Sequence, residues 1–403
     1  GVNWVPVDEA LARLREGLGP VAPVETVPLA QAQGRVLAED VKAMRAHPPG
    51  ANTAVDGYGF AHASLGDPPH YLPLIEGRAA AGQPFGGTVP PGQALRVLTG
   101  AILPPGVDTV VLEEDCLIED GRIGFSRSPR RGSNTRPEGE DVQAGDRILA
   151  AGRILGPGDL ALAAAAGLGA LPVHRQLRVA ILSTGDEIRE SGAPAARHQT
   201  YDANRPMLAA ILRRWGMEVV DLGLARDEAG AVAAALDRGA AEADAILTSG
   251  GASAGDEDHV ARTLDEARAL RTWRIAVKPG RPLALGLWKG VPVFGLPGNP
   301  VAAFVCTLVF ARPALLTLAG APWAAPRALM LPAAFAKSKK HGRREYLRAR
   351  LDDEGRVEVF RSEGSGRVSG LAWAEGLVEL PDPEGTIAPG DPVRYLPFTA
   401  FGL

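Results

Sequence analysis

The chain has 403 residues, 46% of them hydrophobic and 22% charged, with a formal net charge of −4. That length and composition describe a globular protein of two to four domains, and the slightly acidic balance argues against bulk nucleic-acid binding. No run of about 18 apolar residues is expected to cross a membrane, and the opening Gly1-Val-Asn-Trp-Val-Pro6 carries neither the basic nor the apolar region of a secretory signal. Cys116 and Cys306 are too few for a disulfide framework and fit a reducing, cytoplasmic setting. Along the chain, Val7, Ala10, Leu11, Leu14 and Leu18 have the spacing of an amphipathic helix over 7–19, with Asp8 as its cap. Residues 24–41 read as strand, turn and short helix. From Pro48 to about Asp141, short β-like runs such as Ala94–Leu98 and Thr109–Leu112 alternate with Gly/Pro turns, which predicts a β-rich insertion. Residues 142–173 resume with the 146–149 run, an alanine-rich helix at 159–166 and a 171–173 strand.

From 176 to 320 the pattern changes. Strand 178–182 precedes a helix whose one face carries Met207, Leu208, Ile211, Leu212 and Trp215, stopped by Gly216. Strand 218–222, helix 228–241, strand 244–248, helix 257–269, strands 273–277 and 291–295, and helix 299–318 follow. Alternation of this kind predicts a doubly wound α/β domain with a mainly parallel sheet. After Gly320, alternating runs at 346–351 and 357–360 predict a small β-barrel or sandwich.

Ligands of open α/β sheets bind beyond the carboxyl ends of the strands. Five strand ends in 176–300 lead into polar loops: Ser183-Thr-Gly-Asp-Glu187, Gly223-Leu-Ala-Arg-Asp227, Ser249-Gly-Gly-Ala-Ser-Ala-Gly-Asp-Glu-Asp258, Lys278-Pro-Gly-Arg-Pro282 and Leu296-Pro-Gly-Asn-Pro300. Taken singly, each has a plain reading. Asp227, Asp256 and Asp258 precede helices as N-caps would; Lys278 resembles a surface lysine in a turn; Pro297 and Pro300 shape a turn. Together they predict one oxyanion-handling rim, because glycine-rich turns expose amide N–H groups that suit phosphate. Carboxylates beside a phosphate repel it unless a divalent ion lies between, and Mg²⁺ is typically held by one or two carboxylates plus substrate oxygens. The residues alone thus predict Mg²⁺-dependent chemistry on a phosphate or phosphoanhydride. The sequence contains no P-loop, no dinucleotide fingerprint opening a βαβ unit, no zinc-spaced His/Cys pair and no nucleophile elbow.

Thr53-Ala-Val-Asp-Gly-Tyr58, Leu98-Thr-Gly-Ala101, Gly139-Glu-Asp141, Ser183-Thr-Gly-Asp-Glu187, Tyr201-Asp-Ala-Asn204, Arg226-Asp227, Ser249-Gly-Gly-Ala-Ser253, Lys278-Pro-Gly280 and Gly295-Leu-Pro-Gly-Asn-Pro300 occur in one order over nearly the whole chain. In this the chain resembles the MoeA family, molybdopterin molybdenumtransferases, also seen as the E domain of gephyrin. The resemblance implies an α/β multidomain homodimer. Its parts would be an elongated mixed α+β domain made from 1–43 and 142–175, a β-rich domain 44–141 inserted in it, a molybdopterin-binding α/β domain 176–326 and a C-terminal β-barrel 327–403. It implies conversion of adenylyl-molybdopterin and molybdate into molybdenum cofactor with Mg²⁺ and release of AMP. The cleft would lie between the α/β part of one subunit and the inserted part of the other.

Carried over position by position, Asp56, Glu187, Asp227, Asp258 and Lys278 are the implied catalytic set, with Glu187, Asp227 and Asp56 holding Mg²⁺. Thr99, Arg136, Asp141, Ser249, Gly250, Gly251, Ser253, Arg281, Pro297, Pro300 and Ser365 are the implied substrate-binding set. Lys278 and Arg136 would neutralise phosphate or molybdate, and Ser365 matches a position near molybdate. Arg281 stands where many members carry lysine, which exchanges a point charge for a fork. Contact with other molybdenum-cofactor synthesis proteins is also expected. The alternatives are a non-catalytic molybdopterin-binding scaffold, since the gephyrin relative also clusters receptors, and a tungsten-specific paralogue.

Overall fold

A computed structural model describes residues 4–250, 259–267, 270–280 and 282–403. The central unit is a six-stranded sheet. Its order is Glu218–Ala225, Arg178–Thr184, Ala245–Ser249, Val291–Leu296, Pro282–Trp288 and Leu270–Arg274. The first four strands run parallel, as continuous apolar runs flanked by helices require. Pro282–Trp288 then turns back antiparallel on both neighbours. The expected strand 273–277 is corrected here. The run divides into an edge strand, Leu270–Arg274, and a short strand, Val277–Lys278, which leaves this sheet and pairs in parallel with Arg344 and Glu345 of the C-terminal region. The hairpin strand Pro282–Trp288 was not expected, because its alternation follows a Pro-Gly turn that reads as loop.

The helix expected over 299–318 forms as a continuous helical stretch, Pro300–Leu318, with a π-helical middle at Thr307–Ala311. It is 19 residues long and contains an 18-residue window of mean hydropathy 2.0, so by length and composition it could cross a membrane, contrary to expectation. Here the stretch is a core helix: Val301, Phe304, Phe310 and Leu315 are buried among strands of the sheet and the C-terminal region. Arg312 within it donates to the Phe401 carbonyl.

The first helix spans Val7–Arg15, shorter than the spacing suggested. Asp8 does not cap it. Pro6 holds the cap position, and the Asp8 carboxylate accepts two hydrogen bonds from Arg344, at 2.7 and 2.9 Å. Val7 and Ala10 join the core of the α/β unit rather than the smaller core of Val27, Leu37, Leu149 and Leu171. That smaller core unites two distant stretches, since Val24–Pro28 pairs with Ala170–His174 and Val41–Lys42 with Arg147–Leu149.

Between them the chain leaves through the His47–Val142 bridge into a second six-stranded sheet. Its strands Gly57–Phe60, Ala94–Val97 and Thr109–Leu112 enclose two small apolar cores. In the C-terminal region, Arg344–Leu351, Gly376–Leu380, Pro392–Pro397 and Leu329–Pro332 form an antiparallel series, Val357–Val359 flanks its first strand, and a single bridge from Ala333 to Val357 links the two sides.

Candidate active site

Two cavities flank the start of the core helix. The larger, about 610 Å³, lies at the carboxyl ends of the parallel strands and is walled by Ser183, Thr184, Gly185, Glu187, Asp227, Ser249 and Gly250, with Asp202, Asn204, Gly298 and Asn299 opposite. Chain geometry explains the glycines. Gly250 has φ +98°, and a Cβ there would sit 2.0 Å from the Thr184 carbonyl oxygen. A Cβ on Gly298 would lie 3.2 Å from the Gly250 Cα. Two loops thus meet backbone to backbone at the cavity floor, where side chains would keep a ligand away from the amides. Ser183 and Ser249, on adjacent strands, bring their hydroxyls within 3.4 Å.

Three residues of the cavity wall also carry a buried oxygen with no protein hydrogen-bond partner: Thr184 Oγ1, Asp202 Oδ2 and Asn204 Oδ1. Each belongs to a buried residue. The other oxygen of Asp202 accepts from the first amides of the helix Asn204–Arg214, at 3.1 Å each. Asn204 Nδ2 donates to the Gly298 carbonyl at 2.8 Å. The Asp202 Oδ2 lies 3.9 Å from Arg205. Leaving such atoms unpaired is costly. The sequence signal for these residues is the Tyr201-Asp-Ala-Asn204 run.

Glu187 is exposed on the cavity wall, and Asp227 is largely sheltered there. The Asp227 amide donates to Asp186 Oδ1 at 3.2 Å, and its carboxylate is 3.8 Å from His259 Nε2. Glu228 rather than Asp227 occupies the cap of the next helix, so the N-cap reading of Asp227 does not hold. Among the described residues no three acids, histidines or cysteines gather into a ready metal cage. Glu187 and Asp227 nevertheless supply oxygens on one wall, which fits an ion held chiefly by substrate oxygens and water.

The sequence placed Lys278 on this rim, and the structure corrects that. Because Val277–Lys278 joins the C-terminal sheet, Lys278 lines a second cavity of about 240 Å³ between that sheet and the core helix, together with Pro279, Val301, Lys337, Arg348 and Glu363. Lys278 Nζ lies 2.8 Å from Glu363 and 3.6 Å from Glu345. Lys337 pairs with Glu363 and, at 3.2 Å, with Glu345. Burial favours the neutral form of Lys337, but these carboxylates outweigh it and its pKa is raised. Buried Arg348 donates to the carbonyls of Ser362, Gly364 and Arg367 and stacks on Phe360 at 4.9 Å, fixing the 362–367 loop. The sequence reading missed Lys337, Arg348, Glu345 and Glu363, whose alternation looked like ordinary strand and turn.

The cavities meet at the Gly298-Asn299-Pro300 turn, with Asn299 on one and Val301 on the other. Asn299 Oδ1 accepts from the Val301 amide, capping the helix. Pro300 opens the helix and Pro297 is buried, and neither lines the larger cavity; the turn residues between them do. Ser365 sits in the loop that Arg348 holds, beside Gly366, where a Cβ would come 3.9 Å from Asn299 Nδ2. Asp258, Gly251, Ser253 and Arg281 lie outside the described residues.

In the inserted sheet, Asp56 accepts both the amide and the hydroxyl of Thr99, each at 2.7 Å, and with Arg96 nearby these hold its carboxyl below the usual range. Arg136, on a short strand beside Asn52, and Asp141 are exposed. None of Asp56, Thr99, Arg136 and Asp141 lines either cavity within one chain.

An open α/β sheet with a glycine-floored polar cavity at its switch point defines an α/β protein whose ligand site lies beyond the carboxyl ends of its strands. Sequence comparison narrows this. Residues 5–167 match the MoeA N-terminal region (domain I and II), 180–317 a probable molybdopterin binding domain, and 331–398 the MoeA C-terminal region (domain IV). The molybdopterin molybdenumtransferase of Haemophilus influenzae is 34% identical, covering 97% of this chain and 98% of its own. Molybdopterin molybdenumtransferase 2 of Mycobacterium tuberculosis is 36% identical, covering 93% and 95%. A solved molybdopterin biosynthesis MoeA protein from Pyrococcus horikoshii OT3 superposes with a TM-score of 0.86 at 28% identity, over 98% of this chain and all of that one. The chain belongs to the MoeA family.

Proposed function

We propose that this transferase of molybdenum cofactor biosynthesis takes adenylyl-molybdopterin and molybdate, inserts the metal and releases AMP, with Mg²⁺ required. One observation carries the reading: a glycine-floored cavity with two carboxylates adjoins a lysine- and arginine-lined cavity at a single helix start. The first suits a phosphoanhydride and a donor-rich pterin. The amides of the Gly250 and Gly298 turns and the Ser183 and Ser249 hydroxyls bind phosphate oxygens there, while Asp202, Asn204 and Thr184 accept or share ligand protons. The second suits molybdate, with Lys278, Lys337 and Arg348 supplying positive charge beside Ser365. Glu187 and Asp227 would hold Mg²⁺, which when bound neutralises the phosphoanhydride and makes AMP a better leaving group. Asp258, Gly251, Ser253 and Arg281 keep the roles that family resemblance implies.

Asp56, Thr99, Arg136 and Asp141 act in this reading from the partner subunit of a homodimer, which accounts for their distance from both cavities within one chain. Residues 327–403 are read as a small barrel closed by the Ala333–Val357 bridge, and the enzyme as cytoplasmic, in contact with other cofactor-synthesis proteins. The test is incubation of purified protein with adenylyl-molybdopterin, Mg²⁺ and molybdate. AMP release that depends on molybdate supports the proposal. No release with any oxyanion favours a binding scaffold, and release with tungstate alone favours a tungsten enzyme.

A further inference from the structure

We propose that Glu363 is a built-in counter-ion that occupies the oxyanion position of the smaller cavity and must swing out before the metal oxyanion enters. The inference rests on the reading of that cavity as the molybdate site. Glu363 bonds Lys278 with one oxygen and Lys337 with the other, so its carboxylate spans the two ammonium groups as a bound oxyanion would. Its side chain is 44% exposed, so it has an open path to solvent. Glu345 is different: it is buried beneath the same lysines on the strand Arg344–Leu351 and cannot leave.

The backbone of the loop does not depend on the Glu363 side chain. Arg348 holds it through the Ser362, Gly364 and Arg367 carbonyls, and Gly364 N bonds Ser362 Oγ. The carboxylate can therefore exchange while the loop stays in place. Lys278, Lys337, Arg348 and exposed Arg361 line the cavity with Glu363, and Glu345 pairs with both lysines from beneath. Withdrawing Glu363 raises the local positive charge by one, which favours entry of a dianion such as molybdate. Glu363 thus sets how tightly oxyanions bind and keeps the lysines paired when none is present.

The experiment is calorimetric titration of sodium molybdate into the full-length protein and its Glu363→Gln variant, with Lys278→Met made in both backgrounds. Removing two ion pairs and one like charge from the site should tighten molybdate binding in Glu363→Gln by about tenfold. Lys278→Met should abolish the gain. Equal affinity in wild type and Glu363→Gln, with both sensitive to Lys278→Met, overturns the counter-ion role and leaves the molybdate site intact. No binding to either protein, both being folded by circular dichroism, or tight binding that ignores Lys278→Met, overturns the reading of the cavity itself.

Discussion

At the scale of single residues, a Cβ at Gly250 would meet the Thr184 carbonyl oxygen at 2.0 Å in a left-handed backbone that L side chains avoid. Gly250→Ala should therefore cost about 1–3 kcal/mol in a denaturant melt and weaken phosphate-ligand binding by more than the stability loss explains. Glu187→Ala and Asp227→Ala should reduce molybdate-dependent AMP release by about a hundredfold or more while leaving the melting temperature near that of wild type, since both sit on loops at the cavity wall. Wild-type rates in both variants would refute their assignment.

Burial raises both thiols, Cys306 to about 12 and Cys116 to about 11, the latter helped by Asp115 and Glu113. A thiol reagent at pH 8 should leave both unmodified in native protein and modify both after denaturation; rapid native labelling of Cys306 would contradict its burial. For Glu363, burial raises the carboxyl, but Lys278 and Lys337 together bring it below its ordinary 4.5. A depressed value stabilises the fold above the unfolded pKa, and that stability is lost as pH falls through the folded one. The stability difference between wild type and Glu363→Gln should hold from neutral pH to about 5 and fade below about 4. A difference growing toward acid would have the wrong sign.

At the scale of elements, the core helix Pro300–Leu318 joins both cavities to the interior. Phe310 is fully buried in its π-helical middle, so Phe310→Ala should cost about 3–5 kcal/mol by urea titration. Arg348→Met removes three bonds to carbonyls and the Phe360 contact. It should loosen the 362–367 loop, seen as faster hydrogen exchange there, before it lowers global stability much. Helices such as Asn204–Arg214 were legible from their apolar periodicity, and the parallel strands from the short, nearly continuous apolar runs that alternate with helices. The split of 273–277 was not. Val277–Lys278 has the composition of a strand wherever it pairs, and only a partner some 65 residues on, Arg344 and Glu345, decides which sheet it joins. Lys278 was consequently expected on the rim of the larger cavity, whereas it lines the smaller one. The second cavity was illegible for the same reason: Lys337, Arg348 and Glu363 are brought together only by the folding of the C-terminal sheet. Asp8 carried a cap signal, yet Arg344, far along the chain, takes its carboxylate.

At the scale of the whole molecule, the first helix is tied to the α/β core and to Arg344, so the N-terminal segment braces the unit that carries the site. The inserted sheet, with its Asp56–Thr99 turn, joins the frame at the His47–Val142 bridge. A complete site in the proposed account needs two chains. Mixing the Glu187→Ala and Asp56→Ala homodimers under conditions that exchange subunits tests this directly. Each mixed dimer would carry one intact cleft, with Glu187 from one chain and Asp56 from the other, so random exchange should restore about a quarter of wild-type AMP release. Activity no higher than that of the two inactive parents, with exchange confirmed by tagged subunits, would contradict the shared cleft.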